Sequence, residues 1–111
     1  MSITLISTVL NEGDNIHHMM NGLLQQTRQA DEIIIVDGGS SDNTVATIRT
    51  YDKQLPLKVL IREGCNISEG RNTAIDAAQG DIIVITDAGT RLHATWLEHI
   101  TQPLLDDAAL S

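Results

Sequence analysis

A chain of 111 residues suits one domain, and at that size roughly two thirds of the unfolded surface is buried, enough for a modest core. With no Phe, one Trp (Trp96) and one Tyr (Tyr51) among 41% hydrophobic residues, that core must be aliphatic. A formal net charge of −8 excludes a general nucleic-acid binder, which needs a basic track and aromatic stacking surfaces. Cys65 is the single cysteine, so no internal disulfide forms, and a reducing, cytoplasmic location is the expectation. No apolar run approaches the roughly 18 residues of a membrane span.

The pattern then alternates between two periods. Ile3–Val9 is a β-branched run read as a first strand, not as a signal peptide. Asn11, Glu12 and Gly13 break it, and Asp14 or Asn15 can cap a helix whose apolar face is Ile16, Met19, Met20, Leu23 and Leu24. Ile33–Val36 is a second, buried strand. "DGGSSDNT" turns it into a second helix with Val45 and Ile48 inside, capped by Ser40 or Ser41. Pro56 precedes a third strand, Leu57–Ile61. Ser68 is expected to cap a third helix carrying Ala74, Ile75 and Ala78, with Gly80 as its stop. Ile82–Ile85 is a fourth strand, and a fourth helix over His93–Leu105 holds Trp96, Leu97 and Ile100, with Pro103 disturbing its last turn. Strands this uniformly apolar are covered on both faces, so the βαβαβαβα order predicts an α/β fold with a parallel sheet between helix layers.

In such a sheet, ligands bind beyond the carboxyl ends of the strands, where strand order reverses. Polar residues collect at that edge: Thr8, Asn11 and Glu12 after the first strand, and Asp37, Gly38, Gly39 and Ser40 after the second. Arg62 and Glu63 follow the third, before a loop leading to Ser68 and Arg71; Asp87, Ala88, Gly89, Thr90 and Arg91 follow the fourth. "IIIVDGGS" and "IIVITDAGT" echo each other, each sending an Asp out of a buried run. Either Asp suits an Asx turn or a shared ligand. Asn11 and Glu12 suit a helix start as well as a site. Arg71, expected in a first helical turn, is better placed to face a phosphate than to complement the helix dipole. The four His show no ligand pattern, and Cys65 reads as a small loop or core residue. No P-loop, G-x-G-x-x-G or Ser-elbow motif is present.

Taken in order, "STVLNEGDNI", "LLQQTRQADEIIIVDGGSSDNT" and "ISEGRNTAIDAAQGDIIVITDAG" resemble the N-terminal half of a family 2 glycosyltransferase of the GT-A fold. The resemblance spans residues 3 to 105 and implies a Rossmann-like, three-layer αβα domain over 1–111 with a mostly parallel four-stranded sheet. It implies a UDP- or GDP-sugar donor, an unknown acceptor, and a catalytic base lying beyond Ser111, in the acceptor half. Carried over, Thr8, Leu10 and Glu12 lie along the nucleotide, Asp37 near the base and Arg71 close to the donor. Asp87 and Ala88 begin the D-x-D motif near ribose and diphosphate. A divalent cation, Mg²⁺ or Mn²⁺, belongs to such sites, with Asp87 the remaining ligand; Gly89 stands where the motif's final Asp, the usual metal ligand, would be, a departure that counts against direct cation binding. Gly38 replaces a frequent second acid, and Leu10 stands where an aromatic often stacks on the base. The alternative reading is a degenerate, non-catalytic nucleotide-binding or interaction module. A fourth strand without a further neighbour predicts self-association at an exposed sheet edge.

Overall fold

The computed structural model describes residues 2–88 and 91–110, with side chains as far as Leu104. Four strands, β1 (Ile3–Val9), β2 (Glu32–Asp37), β3 (Leu57–Ile61) and β4 (Ile82–Ile85), alternate with α1 (Asn15–Leu24), α2 (Thr44–Arg49), α3 (Ile67–Ala77) and α4 (Trp96–Leu110). All strand pairs are parallel and the sheet order is β3-β2-β1-β4.

That order distributes the helices. The chain moves one way from β1 to β2 to β3, so right-handed crossovers leave α1 and α2 on one face. The return from β3 across to β4 sends α3 to the other. The larger core packs Ile3, Leu5, Ile33, Ile35, Ile82 and Val84 against Ile16, Met19, Met20 and Leu23 of α1, Ile48 of α2 and Leu97 of α4. The smaller core, Ile6, Ile34, Val36 and Ala74, lies under α3. Because α3 covers β1 and β2, the same face of β4 stays open: Ile83 and Ile85 are exposed while Ile82 and Val84 are buried.

The strands fall where the β-branched runs are, β2 longer by one residue at each end. The caps differ from expectation, each for a visible reason. Asp14 occupies the N-cap of α1 without a side-chain bond to it. Neither Ser40 nor Ser41 caps α2: the Ser40 hydroxyl donates to Asp37 Oδ1 (2.5 Å) and Ser41 donates its amide to Asn11 Oδ1 (2.8 Å). Asn43 holds the N-cap position, and Asp42 Oδ1 accepts the Thr44 amide instead. Val45 is half-buried rather than inside. α3 begins with Asn66, whose side chain accepts from Glu69 while Glu69 reaches back to the Asn66 amide. This capping box displaces Ser68 from the role and moves Arg71 from the first to the second turn. α3 ends at Ala77, three residues before Gly80. Gly80 is a close-approach residue, its amide donating to Thr4 Oγ1 at 2.9 Å against β1. α4 starts at Trp96, later than His93, and continues through Pro103 to Leu110.

At the amino edge of the sheet Glu32 joins four segments. It accepts from Lys58 Nζ (2.6 Å), Thr4 Oγ1 (2.8 Å) and the Gln79 amide (2.9 Å). The Lys58 bond first, then the Gln79 and Thr4 bonds, hold its carboxyl below the usual glutamate range against the opposing effect of partial burial. A cavity of about 260 Å³ at this end is walled by Thr4, Glu32 and Gln79 from this set, with Ser2, Asp31 and Gly80; the other two cavities lie at the opposite end of the sheet. Among the described residues no helix is long and apolar enough to cross a membrane.

Candidate functional site

Strand order reverses between β1 and β4, which leave in the same direction beside each other while their following segments diverge. A cavity of about 190 Å³ opens there, lined by Ile6, Ser7, Thr8, Glu12, Ile67, Arg71, Ile85, Thr86, Asp87 and Ala88. A second, of about 510 Å³, adjoins it toward β2 and shares Thr8, Glu12 and Ile67; Leu10, Gly38, Cys65, Asn66 and Ser68 are also in its wall. Together they form one crevice along the carboxyl edge, within the size range of small-molecule sites.

Five of the seven residues marked from sequence, Thr8, Glu12, Arg71, Asp87 and Ala88, meet in the first cavity, and Leu10 joins Thr8 and Glu12 in the second. Arg71 enters from the second turn of α3, on the face turned toward β4. Asp87 is exposed at the end of the β4 segment. Neither side chain makes a hydrogen bond or ion pair among the described residues, so each is available to a ligand. Arg62 differs: it is held by the Glu69 carbonyl, the Thr73 hydroxyl and the Glu69 carboxylate.

Asp37 stands apart. It is 1% exposed and lines neither cavity. Its Oδ2 accepts the amides of Gly39 (2.9 Å) and Ser40 (2.8 Å), and its Oδ1 accepts the Ser40 hydroxyl. The Asx-turn alternative thus describes this aspartate, and its neighbour Gly38 is what faces the crevice. Gly89 and Thr90, the rest of the second echo, lie outside the described residues. Ile67, Ser7, Ile85 and Thr86 line the crevice without a sequence signal that marks them, save that Ile85 is an apolar residue on the face of β4 that no helix covers.

The turn after β1 is shaped for this position. Asn11 is the single non-glycine residue with positive φ among those described (φ 48°), a conformation Asn tolerates better than most residues, and Gly13 follows at φ 57°. The Leu10 amide donates to Glu12 Oε1 (3.3 Å), folding that carboxylate over the crevice mouth. Among the described residues no cluster of three or more His, Cys, Asp or Glu is set to hold a metal on its own. A Mg²⁺-type ion needs less: one or two carboxylates, with phosphate oxygens and water completing its shell. Asp87 and Glu12 are the two carboxylates in the lining of the first cavity.

Comparison with known proteins places this geometry. Residues 4–111 match the model of the family described as glycosyl transferase family 2. The chain is 31% identical over 106 residues to the uncharacterized glycosyltransferase YibD of Escherichia coli, covering 95% of this chain and 31% of YibD. Among solved structures it is similar to Staphylococcus aureus TarS 1-349 in complex with UDP-GlcNAc, with 25% identity, a TM-score of 0.79, and 98% of this chain covering 30% of that one. It is also similar to the mannosyltransferase PcManGT of Pyrobaculum calidifontis in complex with GDP-Man and Mn²⁺, with 29% identity, a TM-score of 0.74, and 80% of this chain covering 28% of that one. The chain thus spans about a third of the length of the relatives it matches.

Proposed function

The chain belongs to glycosyl transferase family 2, and we propose that its carboxyl-edge crevice binds the nucleoside diphosphate of a UDP- or GDP-sugar donor for transfer of the glycosyl group to an acceptor. One observation carries this reading. Among the described residues, a cation without a side-chain partner (Arg71) and a carboxylate without one (Asp87) share a cavity at the point where strand order reverses. In a chain of net charge −8, an uncommitted Arg inside a cavity is a site for an anion.

The larger cavity, walled by Leu10, Gly38 and Cys65, suits the flat, partly apolar nucleobase. The smaller one, with Arg71, suits the diphosphate. A divalent cation, when bound, would screen the phosphates and stabilise the departing nucleotide. Asp87 would hold it, with Glu12 near. Both relatives with bound donors support the choice of ligand, UDP-GlcNAc in one and GDP-Man with Mn²⁺ in the other. Calorimetric titration with UDP and GDP, with and without Mn²⁺, tests the reading. Saturable binding strengthened by Mn²⁺ is expected; no saturable binding of either nucleotide to folded protein removes it.

We propose self-association through the edge of β4, which among the described residues pairs with β1 alone and beside which Ile83 and Ile85 are exposed. Light scattering at high concentration is expected to show a species larger than the monomer; a strictly monomeric chain rejects it.

A further inference from the structure

Three consecutive amides, those of Asn11, Glu12 and Gly13, all donate to the segment joining β2 to α2 and the first residue of α2. Asn11 N–H reaches Ser40 Oγ (2.8 Å), Glu12 N–H reaches Thr44 Oγ1 (3.0 Å) and Gly13 N–H reaches Asp42 Oδ2 (3.2 Å). In return Asn11 Oδ1 accepts the amides of Ser41 (2.8 Å) and Asp42 (3.3 Å). Asp42 is the hinge of this exchange. Its Oδ2 takes the Gly13 amide, and its Oδ1 takes both the Thr44 amide (2.9 Å) and the Thr44 hydroxyl (2.5 Å).

The last bond sets a direction. With its proton committed to Asp42, the Thr44 hydroxyl can present only a lone pair to Glu12 N–H. Thr44 is fully buried, so the hydroxyl has no water to substitute for either partner. The Thr44 hydroxyl and amide, then the Gly13 amide, hold the Asp42 carboxyl below the usual aspartate range and keep it an acceptor at neutral pH.

We infer that Asp42, which lines neither cavity, is a positioning residue of the crevice, locking the Asn11–Gly13 turn in the left-handed shape that presents Glu12 and Leu10 to the ligand. Both of those residues line the crevice, and the turn that carries them is held from the side by the β2–α2 loop rather than by its own strand. This rests on the reading of the crevice as the donor site, but the hold on the turn exists without a ligand.

The substitution Asp42→Asn separates two roles. Its remaining oxygen can keep the Thr44 bonds that start α2, while its –NH₂ faces the Gly13 N–H, donor against donor. Amide hydrogen exchange on the unliganded chain should quicken by about tenfold at Glu12 and Gly13, with α2 amides unchanged and Tm within about 3 °C. The Kd for UDP or GDP should rise about fivefold. Asp42→Ala, which also frees Thr44, should disturb α2 as well. Unchanged exchange at residues 12 and 13, or equal acceleration throughout α2, would show that Asp42 only starts the helix and overturn the inference. Faster exchange with an unchanged Kd would overturn it too, since the ligand would not then need the turn. If the parent chain binds neither nucleotide, the donor reading falls, while the exchange arm still decides whether Asp42 holds the turn.

Discussion

Arg71→Ala is expected to weaken UDP or GDP binding by roughly 10- to 100-fold, the worth of one charge-assisted hydrogen bond of about 1.5–3 kcal/mol. It should leave stability within about 0.5 kcal/mol, because no partner among the described residues is left unpaired. Asp87→Ala should weaken binding by about tenfold or more in the presence of Mn²⁺ and much less in its absence, since a carboxylate acts on a diphosphate only through a cation. The two losses therefore respond to different variables. The Arg71 effect should shrink with salt and persist without metal; the Asp87 effect should follow the metal. Asp42→Ala, acting through the turn, should cost less binding than Asp87→Ala and more stability. Calorimetry paired with thermal melts resolves all three. Wild-type affinity in Arg71→Ala would show that the nucleotide lies elsewhere, and equal losses for Asp87→Ala and Asp42→Ala would mean that the strand-end placement of Asp87 carries no direct contact.

The two echoing aspartates show what local pattern conveys and what it does not. Both leave a β-branched strand at the same edge, and that much is legible from Ile33–Val36 and Ile82–Ile85, although β4 is buried on one face alone. Their fates differ because β2 is interior, between β1 and β3, and β4 is at the edge. The loop after β2 is hemmed in by the turn after β1 and by the chain after β3. Gly38 N–H donates to Val9 and Gly64 N–H to Gly38, and Asp37 is used up inside that crowd. Among the described residues the segment after β4 has no such neighbour on its outer side, and the Asp87 side chain makes no bond there. Strand order is set by pairings far apart in sequence, such as Leu5 with Ile33 and with Val84, and no short window encodes it.

Caps escape local reading for a related reason. Residue type says that Ser40, Ser41 and Ser68 are able to cap, but not where their polar groups go. Asp37 and Asn11 claim the first two, and the Asn66–Glu69 box outcompetes the third. The strand spans and the apolar face of α1 are legible because they depend on burial of whole side chains, which periodicity reports directly.

Gly70 and Gly80 should respond differently to the same added methyl. At Gly70, on α3, a Cβ would lie 2.5 Å from Thr8 Cγ2 and 2.7 Å from Thr8 Oγ1, both side-chain atoms. Gly70→Ala should cost about 1–3 kcal/mol from overpacking, partly offset by the roughly 1 kcal/mol that Ala gains over Gly in a helix. Thr8→Ala removes both clashing atoms, so the double variant should recover its stability. At Gly80 the added Cβ would strike Thr4 Oγ1 and lie 2.8 Å from the Thr4 backbone nitrogen and 3.2 Å from the Ile3 carbonyl carbon. Those backbone atoms belong to β1, paired on both sides, so they cannot yield. Gly80→Ala should cost about 3 kcal/mol or more, and Thr4→Ala should not rescue it, because the nitrogen remains and the hydroxyl that serves Glu32 and Gly80 is gone. Thermal melts of the four single and two double variants decide the matter: rescue at Gly80, or none at Gly70, would contradict this packing. Nucleotide titration of the rescued Gly70→Ala/Thr8→Ala pair then probes the crevice wall around Thr8, which lines both cavities. Restored stability with weakened binding is the expected result, since the methyl added at position 70 would occupy space beside the crevice while the Thr8 hydroxyl is no longer there to meet the ligand.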